Sequence, residues 1–169
     1  MRIPVFVSCP TDLNPEQQKA REIILELIED MRLEPRALGR SDYPTELPLR
    51  EVAVIAKHCS GGIILGFEQF RAVGGVWKRG VESLERVVTD TIVFPTPWNH
   101  LEAGILFGMK LPLLIFREPG ISGGVFDIGV TDVFVHPMPK PDSTPKSLDA
   151  LREVFLKWHG KVADLYYRL

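Results

Sequence analysis

Between Thr96 and Pro112, in the run T-P-W-N-H-L-E-A-G-I-L-F-G-M-K-L-P, Glu102 is the only acid. A carboxylate held against apolar side chains can stabilise a positive charge that develops in a bound molecule. It can also attack the charged carbon and form a covalent intermediate. The bland alternative is a helix glutamate that serves the dipole and stays solvated. Its neighbours favour chemistry. Trp98 is a half-buried core ring or a stacking platform, Asn99 is an amide one turn earlier, and the small Ala103 and Gly104 permit a close approach. His100 is expected to face away from Glu102, at the surface. Ser8, Cys9 and Asp12 stand together in the turn S-C-P-T-D. There Asp12 can cap the turn or bind a ligand hydroxyl, and Cys9 can sit near a ligand or act as a small buried residue. Arg117 follows an apolar run and could meet an anionic group. Gly123 and Gly124 make a simple turn or let a backbone approach phosphate.

These groups need elements to hold them. The run Ile3–Ser8 is nearly all apolar and reads as a central parallel strand, buried on both faces. Asn14 and Pro15 open a helix to about Met31, with Ile23, Ile24, Leu27 and Ile28 inward. Leu33–Leu38, with Pro35, suits an edge strand. A loop over Gly39–Pro48 leads to a helix at Leu49–His58, with Val52, Ile55 and Ala56 inward, and then to a third strand, Gly61–Phe67. Glu68–Pro95 is too long for a simple connection. It is expected to be a surface excursion or lid with a short helix at Val81–Val88 and an extended piece at Val93–Phe94.

Next comes the helix from Thr96 to Pro112, capped by Thr96 or Asn99. Leu101, Ile105 and Met109, widened by Leu106 and Phe107, form its expected apolar stripe. Leu113–Phe116 is the fourth strand. Arg117–Asp132 is irregular, Val133–Val135 is a short fifth strand, and Pro137–Pro145 is a proline-rich turn. Leu148 to about Tyr167 closes the chain as a helix, with Leu151, Val154, Phe155, Trp158 and Leu165 apolar. Strands alternating with helices predict an α/β domain whose parallel sheet is covered on both faces, in strand order 2-1-3-4-5. Ligands of such sheets bind beyond the carboxyl ends of the strands, near the point where strand order reverses. Ser8–Asp12, the segment from Gly66, Arg117–Gly124 and the start of the Glu102 helix all converge there.

Length and composition narrow the field. The chain has 169 residues, 45% hydrophobic and 25% charged, which suits one soluble domain over 1–169 with an insertion at about 68–95. A net charge of −2 argues against nucleic acid as the main partner. Cys9 and Cys59, the only two cysteines, lack metal-ligand spacing, so no metal is expected, and they imply no disulfide framework. With no apolar run of membrane-spanning length and no signal peptide, a cytoplasmic setting without membrane contact is expected.

Thr96-x-Trp98-x-x-x-Glu102 resembles the S-x-W-C-x-x-E stretch of TIR domains, with Thr for Ser and Asn99 in place of Cys. Val5-Phe-Val-Ser8 followed by Asp12 is similar to that family's first strand and turn. The same helix resembles nucleoside 2-deoxyribosyltransferases, whose E-x-G run and helix-ending Pro are matched by Glu102, Gly104 and Pro112. Those transferases carry an Asp six residues before the Glu, where this chain has Thr96.

Both resemblances imply a flavodoxin-like layout of five parallel strands and a helix carboxylate working at an N-glycosidic bond, of NAD or of a nucleoside or nucleotide. They imply Glu102 as the catalytic group and Trp98 stacking on a base or nicotinamide. Ser8, Cys9, Asp12, Asn99, Arg117, Gly123 and Gly124 would hold the rest of the ligand. No cofactor is required, NAD entering as a substrate, and a homo-oligomer is compatible. A non-catalytic TIR-like module that binds a nucleotide or assembles with a partner is the alternative. A redox flavodoxin-like protein fits less well, because no phosphate loop of Ser, Thr and Gly follows the first strand.

Overall fold

In a computed structural model, residues 2–37 and 47–168 are described. Leu38 and most of the Gly39–Pro48 loop therefore lie outside the described residues. The chain opens with β1 (Ile3–Ser8), α1 (Pro15–Asp30), β2 (Leu33–Arg36), α2 (Pro48–Lys57) and β3 (Gly62–Gly66). Four short strands follow: β4 (Phe70–Ala72), β5 (Gly75–Trp77), β6 (Arg86–Val88) and β7 (Ile92–Phe94). Then come α3 (Pro97–Gly108), β8 (Leu113–Arg117), a 3-10 turn at Gly124–Phe126, β9 (Val135–Pro137) and α4 (Pro145–Arg168).

The central sheet runs β2-β1-β3-β8-β9 and every pairing in it is parallel. This is an α/β fold of flavodoxin-like layout, in the strand order read from the sequence. Its parallel strands have apolar side chains on both faces because both faces are covered. On one, Val5, Val7, Ile63 and Leu65 pack with Ile24 and Ile28 of α1 and Phe155 and Trp158 of α4. On the other, Phe6, Ile64 and Ile115 pack with Val52 and Ile55 of α2 and Ala103 and Leu106 of α3. Asn14 caps α1 by accepting from the Gln17 amide N–H at 2.9 Å, while the Gln17 side chain accepts from Asn14 N–H at 3.1 Å. The reciprocal pair satisfies two N–H groups that a helix start leaves open.

Two readings change. The fifth strand is Val135–Pro137 rather than Val133–Val135. It pairs only with β8, and an edge strand tolerates Pro137, which has no N–H to donate. The expected helix at Val81–Val88 is absent, since Arg86–Val88 is a strand. Glu68–Pro95 instead folds as a ribbon, with β4 antiparallel to β7 and β5 antiparallel to β6. Its base is anchored: the Phe70 and Phe94 rings lie 6.3 Å apart, and Val93 bridges to Ile121. Its tip is exposed from Val73 to Val87.

Candidate functional site

Thr96 is the N-cap of α3, accepting from Trp98 N–H at 3.3 Å, and Pro97 takes the first turn, where its missing N–H costs nothing. The buried stripe of α3 is Asn99, Glu102, Ala103 and Leu106. These positions are one, four, five and eight, the spacing of a core-facing helix. Of the expected stripe, Leu106 is buried and Ile105 and Met109 pack partly buried against the same core. Leu101 and Phe107 are about half exposed, and Gly104 lies on the wet side. Hydrophobicity alone misplaces the edge of the buried face, because two of the four fully inward residues are polar.

Those two polar residues meet a third. Strand alternation sends Ser8 toward α3, on the same face as Phe6, while Cys9 packs with the α1 and α4 side. Asn99 Nδ2 donates to Ser8 Oγ at 2.7 Å, and Ser8 stands beside the Glu102 carboxyl. Ser8, Asn99 and Glu102 are 1%, 0% and 9% exposed. Asn99 Oδ1 is buried without a hydrogen-bond partner. Burial drives the Glu102 carboxyl up from the ordinary 4.5 to about 7, with the Ser8 hydroxyl pulling the other way. The trio stands at the end of β1, beside the β1–β3 boundary where strand order reverses, which is where open parallel sheets hold ligands.

No protein-family model matches this chain, and no curated protein matches it.

The remaining candidates are placed as follows. Trp98 is 40% exposed at the mouth of α3. Asp12 is exposed, and its carbonyl accepts from the Gln69 side chain at 3.5 Å. Arg117 ends β8, and its Nη1 donates to the carbonyls of Ile121 at 3.1 Å and Phe126 at 2.7 Å, bracing the loop that follows. Gly123, at φ +95°, donates its N–H to Asp127 Oδ1 at 2.8 Å. A Cβ on Gly124 would come within 2.7 Å of His100 Nδ1. His100 is thus not a free surface group. It lies against Gly124 and meets Phe126 edge-on at 5.4 Å, and burial lowers its pKa against the opposing pull of Asp127. The structure brings Ser8, Asn99 and Glu102 together, turns Cys9 to the opposite face, and spends Arg117 Nη1 and the two glycines on loop geometry.

Sequence reasoning missed three buried polar residues, Gln17, Glu51 and Ser60. Glu51, one turn into α2 on the Glu102 side of the sheet, is 8% exposed with Oε2 unpartnered. Gln17 donates to Glu118 Oε2 at 2.9 Å and to the Glu68 carbonyl at 3.1 Å, tying α1 to the ends of β3 and β8. Glu51 had a usable signal in its spacing, since it directly precedes the inward Val52. Gln17 had its capping-box spacing from Asn14 as a signal for the helix start, but none for its bonds to Glu118 and Glu68, which are distant in sequence.

Among the described residues no group of three or more His, Cys, Asp and Glu could hold a metal, and no helix is long and apolar enough to cross a membrane. An open groove of about 920 Å³ lies elsewhere, between the start of α1 and the segments after β8 and β9, with Glu16, Arg117, Ile121, Met138 and Lys140 in its wall. Shape favours that groove, but Glu102 does not line it. We place the candidate site at Glu102, because a desolvated carboxyl poised near neutrality is the reactive feature.

Proposed function

We propose that this protein cleaves or transfers at the N-glycosidic bond of NAD or of a nucleoside or nucleotide, with Glu102 as the catalytic carboxylate. The observation that carries this reading is a helix carboxyl buried beside Ser8 and Asn99 and raised to about 7, at the switch point of a parallel sheet. The resemblance to TIR domains and nucleoside 2-deoxyribosyltransferases puts a carboxylate of this kind at the same chemistry. Breaking a glycosidic bond leaves the sugar carbon with oxocarbenium character. An ionised Glu102 beneath that carbon stabilises the charge, or bonds to the carbon and is later released by water or an acceptor base. Water is poor competition for the charge in so dry a place, so the attraction is stronger there than in solution. Trp98, 40% exposed one turn before Glu102, is the ring assigned to stack on the leaving group. Thr96 serves as helix cap where the transferases carry Asp, which favours hydrolysis over transfer. The test is incubation of the protein with NAD and a nucleoside panel, followed by chromatography. Release of nicotinamide or a free base supports the reading. An unchanged panel at high protein concentration goes against it.

A second reading, a binding or assembly module, is favoured by the ribbon. Phe70, Val73, Val76, Trp77, Leu84 and Val87 are each at least 47% exposed there. Two-stranded ribbons are marginal in water alone, and an apolar patch of this kind marks an interaction surface. Val76 and Val87 are directly opposed in register and share a face. Under this reading the paired change Val76→Ser and Val87→Ser lowers the association state seen by sedimentation and leaves the domain folded. A chain that is monomeric at every concentration tested removes the assembly reading.

A further inference from the structure

We infer that the open groove at the ends of β8 and β9 binds a small cationic zwitterion, a free α-amino acid with a basic side chain. The inference does not depend on Glu102, which does not line the groove.

The groove, of about 920 Å³, has five charged side chains in its wall: Arg117 and Lys140 against Glu16, Glu118 and Asp142. Among the described residues none of the five has an ion-pair partner. The sheet sets these charges apart. Arg117 ends β8 and Glu118 follows it directly, so their side chains leave on opposite faces. Arg117 goes with Ile115 to the α3 face, where its Nη1 meets the carbonyls of Ile121 and Phe126. Glu118 goes with Phe116 to the α1 face, where its Oε2 accepts from Gln17 Nε2 at 2.9 Å and from the Glu68 N–H. These bonds hold both side chains in place and leave each with unused capacity. Among the described residues, Nε and Nη2 of Arg117 donate to no partner, and Oε1 of Glu118 accepts from none. Gln17, itself 5% exposed, fixes the Glu118 carboxylate from inside. A group held in advance loses little freedom when a ligand arrives.

The groove therefore has a basic end and an acidic end, on opposite sides of the sheet edge. A ligand that satisfies both carries an anion and a cation well apart. Glycine cannot, because its two charges sit on adjacent carbons. An amino acid with a basic side chain can. Its carboxylate suits the planar Nε–Nη2 edge of Arg117, with Lys140 as a second cation. Its side-chain cation suits Glu118 and Glu16, and its α-ammonium falls to Asp142, two residues after Lys140. Three acids against two bases leave the wall one negative charge in excess, which a ligand of one net positive charge neutralises. Ile121, Val135 and Met138 give its methylene stem an apolar floor.

Other occupants fit less well. A phosphate ester is opposed by the three carboxylates, and the wall from Pro137 to Pro141 has no backbone N–H to offer it. Pro137, Pro139 and Pro141 have none. The Met138 N–H is spent on the Arg117 carbonyl at 2.9 Å, and the Lys140 N–H on Ser143 Oγ at 3.1 Å. For the same reason no peptide can add there as a further strand.

Calorimetry on the full chain at low salt, with L-arginine and L-lysine as probes, tests the inference. Each should bind saturably with a Kd of about 1 mM or below, while glycine, L-glutamate and inorganic phosphate should not. Glu118→Gln keeps an oxygen for Gln17 and the Glu68 N–H but loses the charge, and should weaken binding about tenfold or more. Lys140→Glu, on an exposed segment, should do the same, and it keeps the test open if Glu118→Gln does not fold. Methyl NMR places the ligand: the Met138 methyl should shift on addition of arginine, and those of Met31 and Met109, which do not line the groove, should stay. Absence of saturable binding of both probes overturns the inference. So does equal binding of glycine or phosphate, or full affinity in the variants that fold. A shift at Met31 or Met109 with Met138 unmoved puts the ligand elsewhere and overturns it as well.

Discussion

Replacing Glu102 by Gln is expected to stabilise the protein at pH 8 by roughly 3 kcal/mol and to change little at pH 4. The sign follows from burial. In the folded chain the Glu102 carboxyl keeps its proton up to about 7, against an ordinary 4.5. Between those values the folded state binds a proton that the unfolded state has released. Stability therefore falls as pH rises through that window, and above it the cost is constant. Below 4.5 both states are protonated and the cost vanishes. Gln is neutral throughout and nearly the same shape, so it escapes the penalty. Urea unfolding at several pH values measures this directly. A glutamate kept for stability gives the opposite result, a Gln variant that is weaker at pH 8. A stabilising change at a catalytic group is what a site bearing functional strain predicts.

Catalysis should have the complementary pH dependence. Only the ionised carboxylate can stabilise an oxocarbenium-like carbon, so kcat/KM should rise about tenfold per pH unit up to about 7 and then level off. From pH 5 to the plateau this amounts to roughly a hundredfold. Ser8→Ala, which removes the one side-chain hydroxyl whose effect favours the charged form, should move the rise to higher pH. A profile flat from pH 5 to 8 would mean that the group in control is ordinary and solvated, and would move the chemistry away from Glu102.

What the sequence made legible has a physical pattern. Ile3–Ser8, Gly61–Phe67 and Leu113–Phe116 announced buried parallel strands because both faces of each must be apolar. Asn14 and Pro15 announced a helix start because capping is local chemistry. The ribbon stayed hidden because its strands are three residues long and each is defined by its partner, Phe70–Ala72 by Ile92–Phe94 and Gly75–Trp77 by Arg86–Val88. Its turn also depends on positive φ at Lys78 and Ser83, residues that do not advertise it. Glu102 could be picked out as a lone acid, but not as a buried one. Its burial comes from an inward face that takes in the polar Asn99 beside Ala103 and Leu106 and leaves Leu101 outside. The engagement of Arg117 with Ile121 and Phe126 depends on the path of a loop, which residue types alone do not disclose.

The most direct test of Glu102 as the catalytic carboxylate compares wild type with Glu102→Gln in single-turnover cleavage of the best substrate from the panel, alongside binding of that substrate by calorimetry. Turnover should fall by roughly three orders of magnitude, the scale of losing a preorganised electrostatic contact to the transition state, while affinity stays within a few-fold. Equal turnover in the two proteins would contradict the assignment, as would a parallel loss of binding and turnover with the fold intact.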